Sequence, residues 1–225
     1  MTRVFGITGR MGAGKSWLAA ALADSFHREG IPLLAIEVDS IRRFALWESE
    51  APRHAALRRA LASRFSLPAS GRAACLDRAA LARAVFADRD GLAVFRETAL
   101  PTLRGDICQC ISGAPGPVAL VWAMLAEDGL AGLLSGPLIL VTSPEAGNLE
   151  RLRPRDGSGG LSLDEIRQRL ALQPSDADRI AAAVRSGDRM IVFDNADGAA
   201  KAGLPALLAT LLAWVDFPGF LFGKQ

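Results

Sequence analysis

A glycine-rich segment near the start of the chain, Gly9 to Ser16 (G-R-M-G-A-G-K-S), constrains the fold more than any other feature. It fits the pattern G-x-x-x-x-G-K-[ST] and lies between the apolar run Val4–Thr8 and an amphipathic stretch, Ser16–Glu29. This context predicts a strand, a phosphate-binding loop and a helix. Glycines let successive backbone N–H groups turn toward phosphate oxygens, and the helix N-terminus adds partial positive charge.

The loop therefore predicts a binding site for a nucleoside triphosphate. Lys15 is expected to place its charge on the β and γ phosphates, as a catalytic residue, and the Ser16 hydroxyl is expected to bind Mg²⁺. The loop pattern does not identify the second substrate. The residues predicted to contact the nucleotide are Gly9, Met11, Gly12, Ala13, Gly14, Lys15, Ser16 and Trp17.

Short apolar runs alternate with helical stretches along the rest of the chain. The further predicted strands are Pro32–Val38, Pro117–Trp122, Leu138–Thr142 and Asp188–Phe193. This alternation predicts an α/β fold of the P-loop kinase kind, with a five-stranded parallel sheet between helices. Residues 1–39 and 113–225 are expected to form the nucleotide-binding core, with a lid near 151–173. The largely helical stretch 40–112 is too long for one crossover, and it is predicted to be an inserted acceptor-binding cap.

Acidic side chains follow the second predicted strand. If the chain stays extended there, Glu37 and Asp39 point to the same side, toward the ligand edge of a parallel sheet. A carboxylate at this place accepts a substrate proton or binds Mg²⁺ through water. Ordinary surface acids at a strand end are the alternative. Arg43 is either an anion-binding group or a solvated arginine.

Arg151 and Arg155 flank a helix end and a polar, glycine-rich stretch, 154–160. Cations on such a segment suit a lid that approaches the transferring phosphoryl group and excludes water. A solvated basic surface is the alternative.

Composition excludes several other classes of protein. The net charge of +2 gives no reason to expect a nucleic-acid partner, and three cysteines with two histidines do not make a metal site. No signal peptide is visible, and the apolar run Leu204–Val215 is shorter than the ~20 residues that a bilayer requires. We expect a soluble, cytoplasmic protein that acts on a small molecule, without a membrane. The oligomeric state is left open.

These features together resemble the dephospho-CoA kinase family, which uses ATP to phosphorylate the ribose 3′-hydroxyl of dephospho-CoA. The glycine loop, E-V-D-S-I-R-R from Glu37, and L-D-R-A-A-L-A-R-A-V-F-A-D over Leu76–Asp88 are similar to that family's segments. The resemblance implies ATP as the nucleotide and Asp39 as general base. It also implies that the acceptor contacts Glu37, Arg43, Arg104 of L-P-T-L-R, and Glu127 of A-E-D-G-L. By the same resemblance Arg151 and Arg155 belong to the lid, and Arg169, Gln173 and Asn195 match further positions.

The chain departs from the family pattern mainly on the acceptor side. Leu100, Val121, Ala123 and Ala126 replace His, Asp, Pro and Phe, and Asn148 replaces Gln. The alternatives to a dephospho-CoA kinase are therefore a kinase for another hydroxyl-bearing metabolite and a nucleotide-binding sensor or assembly partner without useful turnover.

Overall fold

The computed structural model describes residues 2–68, 74–152, 162–186, 189–196 and 199–216. Contacts between Cα atoms divide the chain into two compact units. The core unit comprises Met1–Glu37 and Ile111–Gln225, and the helical unit comprises Val38–Cys110. The acceptor-binding role predicted for the helical stretch remains a prediction.

The core unit contains a five-stranded, fully parallel sheet, as the sequence predicts. The strands lie in the order β2-β3-β1-β4-β5, so β1 is central and its two neighbours come from later in the chain. Their bounds are β1 Val4–Thr8, β2 Leu34–Glu37, β3 Val118–Val121, β4 Leu138–Thr142 and β5 Met190–Asp194. Because the strands are parallel, all their carboxyl ends meet at one edge, where such sheets bind ligands.

Helices α1 Lys15–Arg28, α6 Glu145–Leu152, α7 Leu163–Ala171, α8 Asp176–Ser186 and α9 Ala199–Asp216 also belong to the core unit. The apolar cluster beside the sheet is built around fully buried aromatic residues. Phe5 and Trp214 meet edge to face with ring centroids 6.2 Å apart, and Phe26 is equally buried. The strands β1, β3 and β4 are almost wholly buried, as expected for apolar strands inside a parallel sheet that is covered on both faces.

In the sequence, Ser162 followed three residues later by Glu165 has the spacing of a capping box and predicts a helix start, which α7 confirms. Ser162 accepts a hydrogen bond from the Glu165 backbone N–H, and the Glu165 carboxylate accepts one from the Ser162 N–H. This reciprocal capping box satisfies two of the free amides at the helix start. The bond from the Ser162 backbone lowers the pKa of Glu165 below its usual value.

The end of β2 differs from the prediction. The strand stops at Glu37, and α2 begins at Val38 and runs to Arg43. Asp39 is therefore helical, so the alternation argument that aligned it with Glu37 on an extended chain is wrong. Val38, the residue directly after the strand, is completely buried. We attribute the change from strand to helix at this point to the packing of its side chain.

The helical unit begins with α2, which passes into a π-helical turn, Phe44–Glu48. Three longer helices follow: α3 Pro52–Arg64, α4 Arg78–Val85 and α5 Arg89–Ser112. The sequence predicts breaks in this helical stretch near Pro52, Pro68–Gly71 and Asp88. The first and last are confirmed, since α3 begins at Pro52 and α4 and α5 are separated by residues 86–88, and the second lies mostly outside the described residues. The unit has its own apolar cluster, in which Leu46, Leu61 and Leu103 are almost completely buried.

A buried polar cluster joins α3 to α5 inside the helical unit. His54 is 1% exposed and lies between the Ser49 hydroxyl, 2.6 Å from Nδ1, and the Asp106 carboxylate, 2.8 Å from Nε2. The second Asp106 oxygen accepts a hydrogen bond from Arg53 Nε at 2.9 Å. Buried polar groups cost free energy unless they are paired, so Asp106 is the acceptor on which this cluster depends.

Helix α9 has the length and apolar composition of a candidate membrane span. Helix α9 extends beyond the apolar run Leu204–Val215, which by itself is shorter than a bilayer requires. In the core unit Leu207, Leu211 and Trp214 of α9 are buried in the apolar cluster beside the sheet. Arg3 adds a hydrogen bond of 3.1 Å to the Trp214 carbonyl and a guanidinium contact above its ring.

Replacing Asp106 by Asn is expected to destabilise the chain by about 1–3 kcal/mol, because the charged acceptor for Arg53 is lost inside the protein. Chemical denaturation followed by circular dichroism measures the change. Glu97→Gln is the matched control, since it removes an acid that pairs with Arg64 at an exposed position on the same helix. An equal stability change in both variants contradicts the assigned role.

Candidate active site

The loop between β1 and α1 has the backbone conformation that the glycine pattern predicts. Gly9, Gly12 and Gly14 have φ of 143°, 81° and 98°, which side chains rarely adopt. All three positions also lack room for a β-carbon, which would collide with the Val141 carbonyl oxygen at Gly9, the Asn148 carbonyl oxygen at Gly12 and the Asn195 side chain at Gly14. The loop can therefore fold against β4 and the chain after β5 only with glycine at these places.

The Lys15 ammonium group lies folded over the loop. Its Nζ donates hydrogen bonds of 3.0 Å to the carbonyl oxygens of Gly9 and Arg10. These contacts hold the side chain against the loop, and a phosphate oxygen is a stronger acceptor for an ammonium group than a carbonyl oxygen is. Ser16 follows as the second residue of α1, with an exposed side chain, and Trp17 is 44% exposed beside it.

Three other elements of the core unit contact the same loop. The Gln173 side chain, just beyond α7, accepts a hydrogen bond of 2.9 Å from the Met11 N–H. Asn195, just beyond β5, donates one of 2.7 Å to the Ala13 carbonyl. Arg151 of α6 donates one of 2.8 Å to the Gly12 carbonyl. The loop is thus held by polar side chains from three elements that follow β4.

Of the two predicted lid arginines, the structure describes Arg151 and not Arg155. Arg151 contacts the phosphate loop and also donates to Ser143 Oγ and to the buried Asn148 side chain. Arg155 lies outside the described residues, as does the whole glycine-rich stretch 154–160. The catalytic role of both residues remains a prediction.

The predicted acceptor residues are divided between the two units. In the core unit Glu37 ends β2 beside Val121 of β3, and Glu127 lies in the loop after β3. In the helical unit Asp39 pairs with Arg42, one turn later on α2, and Arg43 pairs with Glu48 at 3.1 Å. Arg104 is exposed on α5. Their contacts with substrate remain predictions.

Arg179 on α8 is a residue that the sequence analysis missed. Its Nε donates to Glu127 Oε1 at 2.9 Å, and its Nη2 donates to the Ala123 carbonyl at 2.7 Å. The side chain is almost fully buried. No local pattern reveals this pair, because the partners lie 52 residues apart in the sequence.

Asp176, one turn before Arg179, was missed for the same reason. Burial raises the pKa of its carboxyl group above the usual value, although the positive charges of Arg179, Arg10 and Lys15 act in the opposite direction. An acid in the field of the loop lysine and two arginines belongs to the surroundings of the phosphate site. Its neighbour Asp178 has a lowered pKa because the Ser175 side chain donates a hydrogen bond to it.

Lys15→Met is expected to weaken nucleotide binding by about 10- to 100-fold, the loss typical of a charged hydrogen-bond partner. Titration calorimetry with ATP measures the affinity. Lys201→Met removes the same charge from an exposed position on α9 and serves as the control. Unchanged affinity in the Lys15 variant refutes the role assigned to the loop.

Comparisons with known proteins agree with this geometry. The family model described as dephospho-CoA kinase matches residues 3–197. Dephospho-CoA kinase of Aeromonas hydrophila is 32% identical over 215 residues, covering 95% of each chain. The Methylococcus capsulatus enzyme of the same name is 33% identical over 204 residues, covering 90% of this chain and 91% of its own.

Solved structures show the same fold. The structure of TT1252 from Thermus thermophilus is similar with a TM-score of 0.65 and 28% identity, covering 93% of this chain and 98% of its own. A dephospho-CoA kinase from Campylobacter jejuni, at 18% identity, has a TM-score of 0.50 over 95% and 97% of the two chains. With its phosphate loop, its parallel sheet and a family match over nearly the whole sequence, the chain belongs to the dephospho-CoA kinase family of ATP-dependent kinases.

Proposed function

We propose that the protein transfers the γ-phosphoryl group of ATP to the 3′-hydroxyl of dephospho-CoA, giving CoA and ADP in coenzyme A biosynthesis. The observation that carries this proposal is the intact phosphate loop, with its three positive-φ glycines and the Lys15 ammonium group above it, in a chain of this family. Phosphoryl transfer depends mainly on positioning and on the neutralisation of charge, so the phosphate site is the essential part of such an enzyme.

On the nucleotide side, Lys15 neutralises the β and γ phosphates, and Arg151 and Arg155 of the lid bring further positive charge. Two hydrogen bonds to loop carbonyls hold Lys15 before the nucleotide binds. Arg151 is held by the Gly12 carbonyl. A group held in advance requires little reorganisation in the transition state, which is the condition under which electrostatic stabilisation is effective.

On the acceptor side, Asp39 accepts the proton of the 3′-hydroxyl as general base. Its carboxylate is paired with Arg42, which keeps it in one rotamer and at the start of α2. Arg43 binds an anionic group of the acceptor after exchanging its partner Glu48 for that group. Glu37, Arg104 and Glu127 complete the acceptor contacts in this proposal.

Mg²⁺ fits the residues present at the start of α1. Mg²⁺ is usually held by one or two protein groups together with substrate phosphates and waters. The Ser16 hydroxyl is exposed at the end of the phosphate loop. Among the described residues no group of three or more His, Cys, Asp or Glu side chains has the arrangement of a metal site. We therefore propose that the ion enters with ATP, held by Ser16, and offsets phosphate charge. We also propose that the enzyme works in the cytoplasm.

A coupled ADP-release assay with ATP and dephospho-CoA tests the function. Asp39→Asn is expected to reduce turnover by about 10²- to 10⁴-fold, since the amide cannot accept the proton, while ATP affinity is kept. Asp24→Asn, at an exposed position on α1, is the control with the same chemical change.

Two results would contradict the proposal. Full turnover in the Asp39 variant removes this residue from the reaction. Tight ATP binding by the unaltered protein without ADP release on dephospho-CoA instead supports the nucleotide sensor, and release with another hydroxyl-bearing metabolite reassigns the acceptor.

Ser16→Ala is expected to raise the Mg²⁺ concentration needed for half-maximal turnover by about 10-fold, because one ligand of the ion is lost. The assay is a Mg²⁺ titration at fixed ATP concentration. Ser63→Ala, a position on α3, is the control for loss of a hydroxyl group. An unchanged titration curve in the Ser16 variant is inconsistent with metal binding there.

A further inference from the structure

The loop after β3 is held by a buried guanidinium group. Arg179 is 5% exposed, and it donates to Glu127 Oε1 at 2.9 Å and to the Ala123 carbonyl at 2.7 Å. Hydrogen bonds between charged partners are stronger and more directional than neutral ones. Thr8, at the end of β1, donates a further bond of 3.2 Å to the same Ala123 carbonyl. One carbonyl oxygen thus receives donors from β1 and from α8.

A buried ion pair is not explained by stability alone. Taking both charges out of water costs about as much as their attraction returns, and an apolar pair of the same shape is often as stable. Arg179 Nη1 is moreover buried without a hydrogen-bond partner in the part of the chain that the structure describes. The pair also borders a cavity of about 430 Å³ that Thr8, Glu127 and Pro174 help to line. The pair therefore fixes the orientation of Glu127 and needs an explanation besides stability.

The segment that leads into α8 is hydrogen-bonded to the phosphate loop. Arg10 donates a hydrogen bond of 3.2 Å to the Leu170 carbonyl of α7, and Met11 donates one to Gln173 in the connection to α8. Asp176, the first residue of α8, lies in the field of Arg10, Lys15 and Arg179. The segment before α8 therefore connects the helix that carries Arg179 to the phosphate loop.

We propose that Arg179 is a positioning residue for phosphoryl transfer, which holds Glu127 and the loop after β3 in a fixed place relative to the phosphate loop. The inference rests on the proposed function, in which Glu127 contacts the acceptor. Arg179 acts through Glu127 and through the Ala123 carbonyl. Loss of Arg179 is therefore expected to lower kcat/KM for the acceptor and to change the affinity for ATP only slightly.

Steady-state kinetics separate these two effects. Arg179→Met is expected to lower kcat/KM for dephospho-CoA by about 10-fold or more, with the ATP dissociation constant changed by less than about threefold. Arg179→Lys recovers part of the loss, because the charge is kept and the forked geometry is lost. Arg167→Met, whose side chain is exposed on α7, is the control.

A double variant distinguishes positioning from simple stabilisation. Arg179→Met removes the cation that pairs with the partly buried Glu127, so the melting temperature of the protein is expected to fall, and Glu127→Gln in the same chain restores part of it. The acceptor kcat/KM of the double variant is expected to stay low. If kcat/KM returns together with the melting temperature, the pair is merely structural and the proposal is overturned.

Hydrogen exchange tests the positioning without any acceptor. Backbone amides of residues 123–129 are expected to exchange faster in Arg179→Met than in the unaltered protein or in Arg167→Met. Unchanged exchange rates of these amides overturn the inference, and the result does not depend on which substrate the protein uses. If the unaltered protein has no turnover on dephospho-CoA, the proposed function is wrong, and the exchange measurement still tests whether Arg179 holds the loop.

Discussion

The structure depends on a turn of backbone that only glycine allows. Between β1 and α1 the backbone must turn so that successive N–H groups point toward the same place. Gly9, Gly12 and Gly14 have the positive φ that this turn requires. The same residues let the loop approach Val141, Asn148 and Asn195 more closely than a β-carbon permits. The parallel sheet brings these neighbours to the loop, because the carboxyl ends of β1, β4 and β5 lie at the same edge.

Around this loop the charges are arranged in advance of any ligand. Lys15 and Arg151 donate to carbonyl oxygens of the loop itself, while Asp176 supplies negative charge near the lysine. A site whose cations already have acceptors gives each of them a defined position, and the nucleotide phosphates replace weaker partners by stronger ones. Two of the residues proposed to meet the acceptor are also paired, Asp39 with Arg42 and Arg43 with Glu48.

Three departures from the family pattern lie at the end of β3 and in the loop that follows it. Val121 ends that strand, and Ala123 and Ala126 replace larger residues in the loop. The loop nevertheless has strong anchors: Thr8 and Arg179 both donate to the Ala123 carbonyl, and Glu127 pairs with Arg179. The Ala123 carbonyl is a backbone acceptor, so the replacement of a larger side chain at this position does not remove it.

The sequence by itself determined the fold class, the five parallel strands, the phosphate loop and the capping box at Ser162, because each of these depends on residues that are neighbours in the chain. It did not reveal that β2 gives way to a helix one residue after Glu37, since the burial of Val38 is a property of the packed protein. Only the tertiary structure decided which side chains complete the site. Arg179 meets Glu127, Gln173 meets Met11 and Asn195 meets Ala13 across long separations in the sequence, and such contacts form only when the sheet and its helices have brought the segments together.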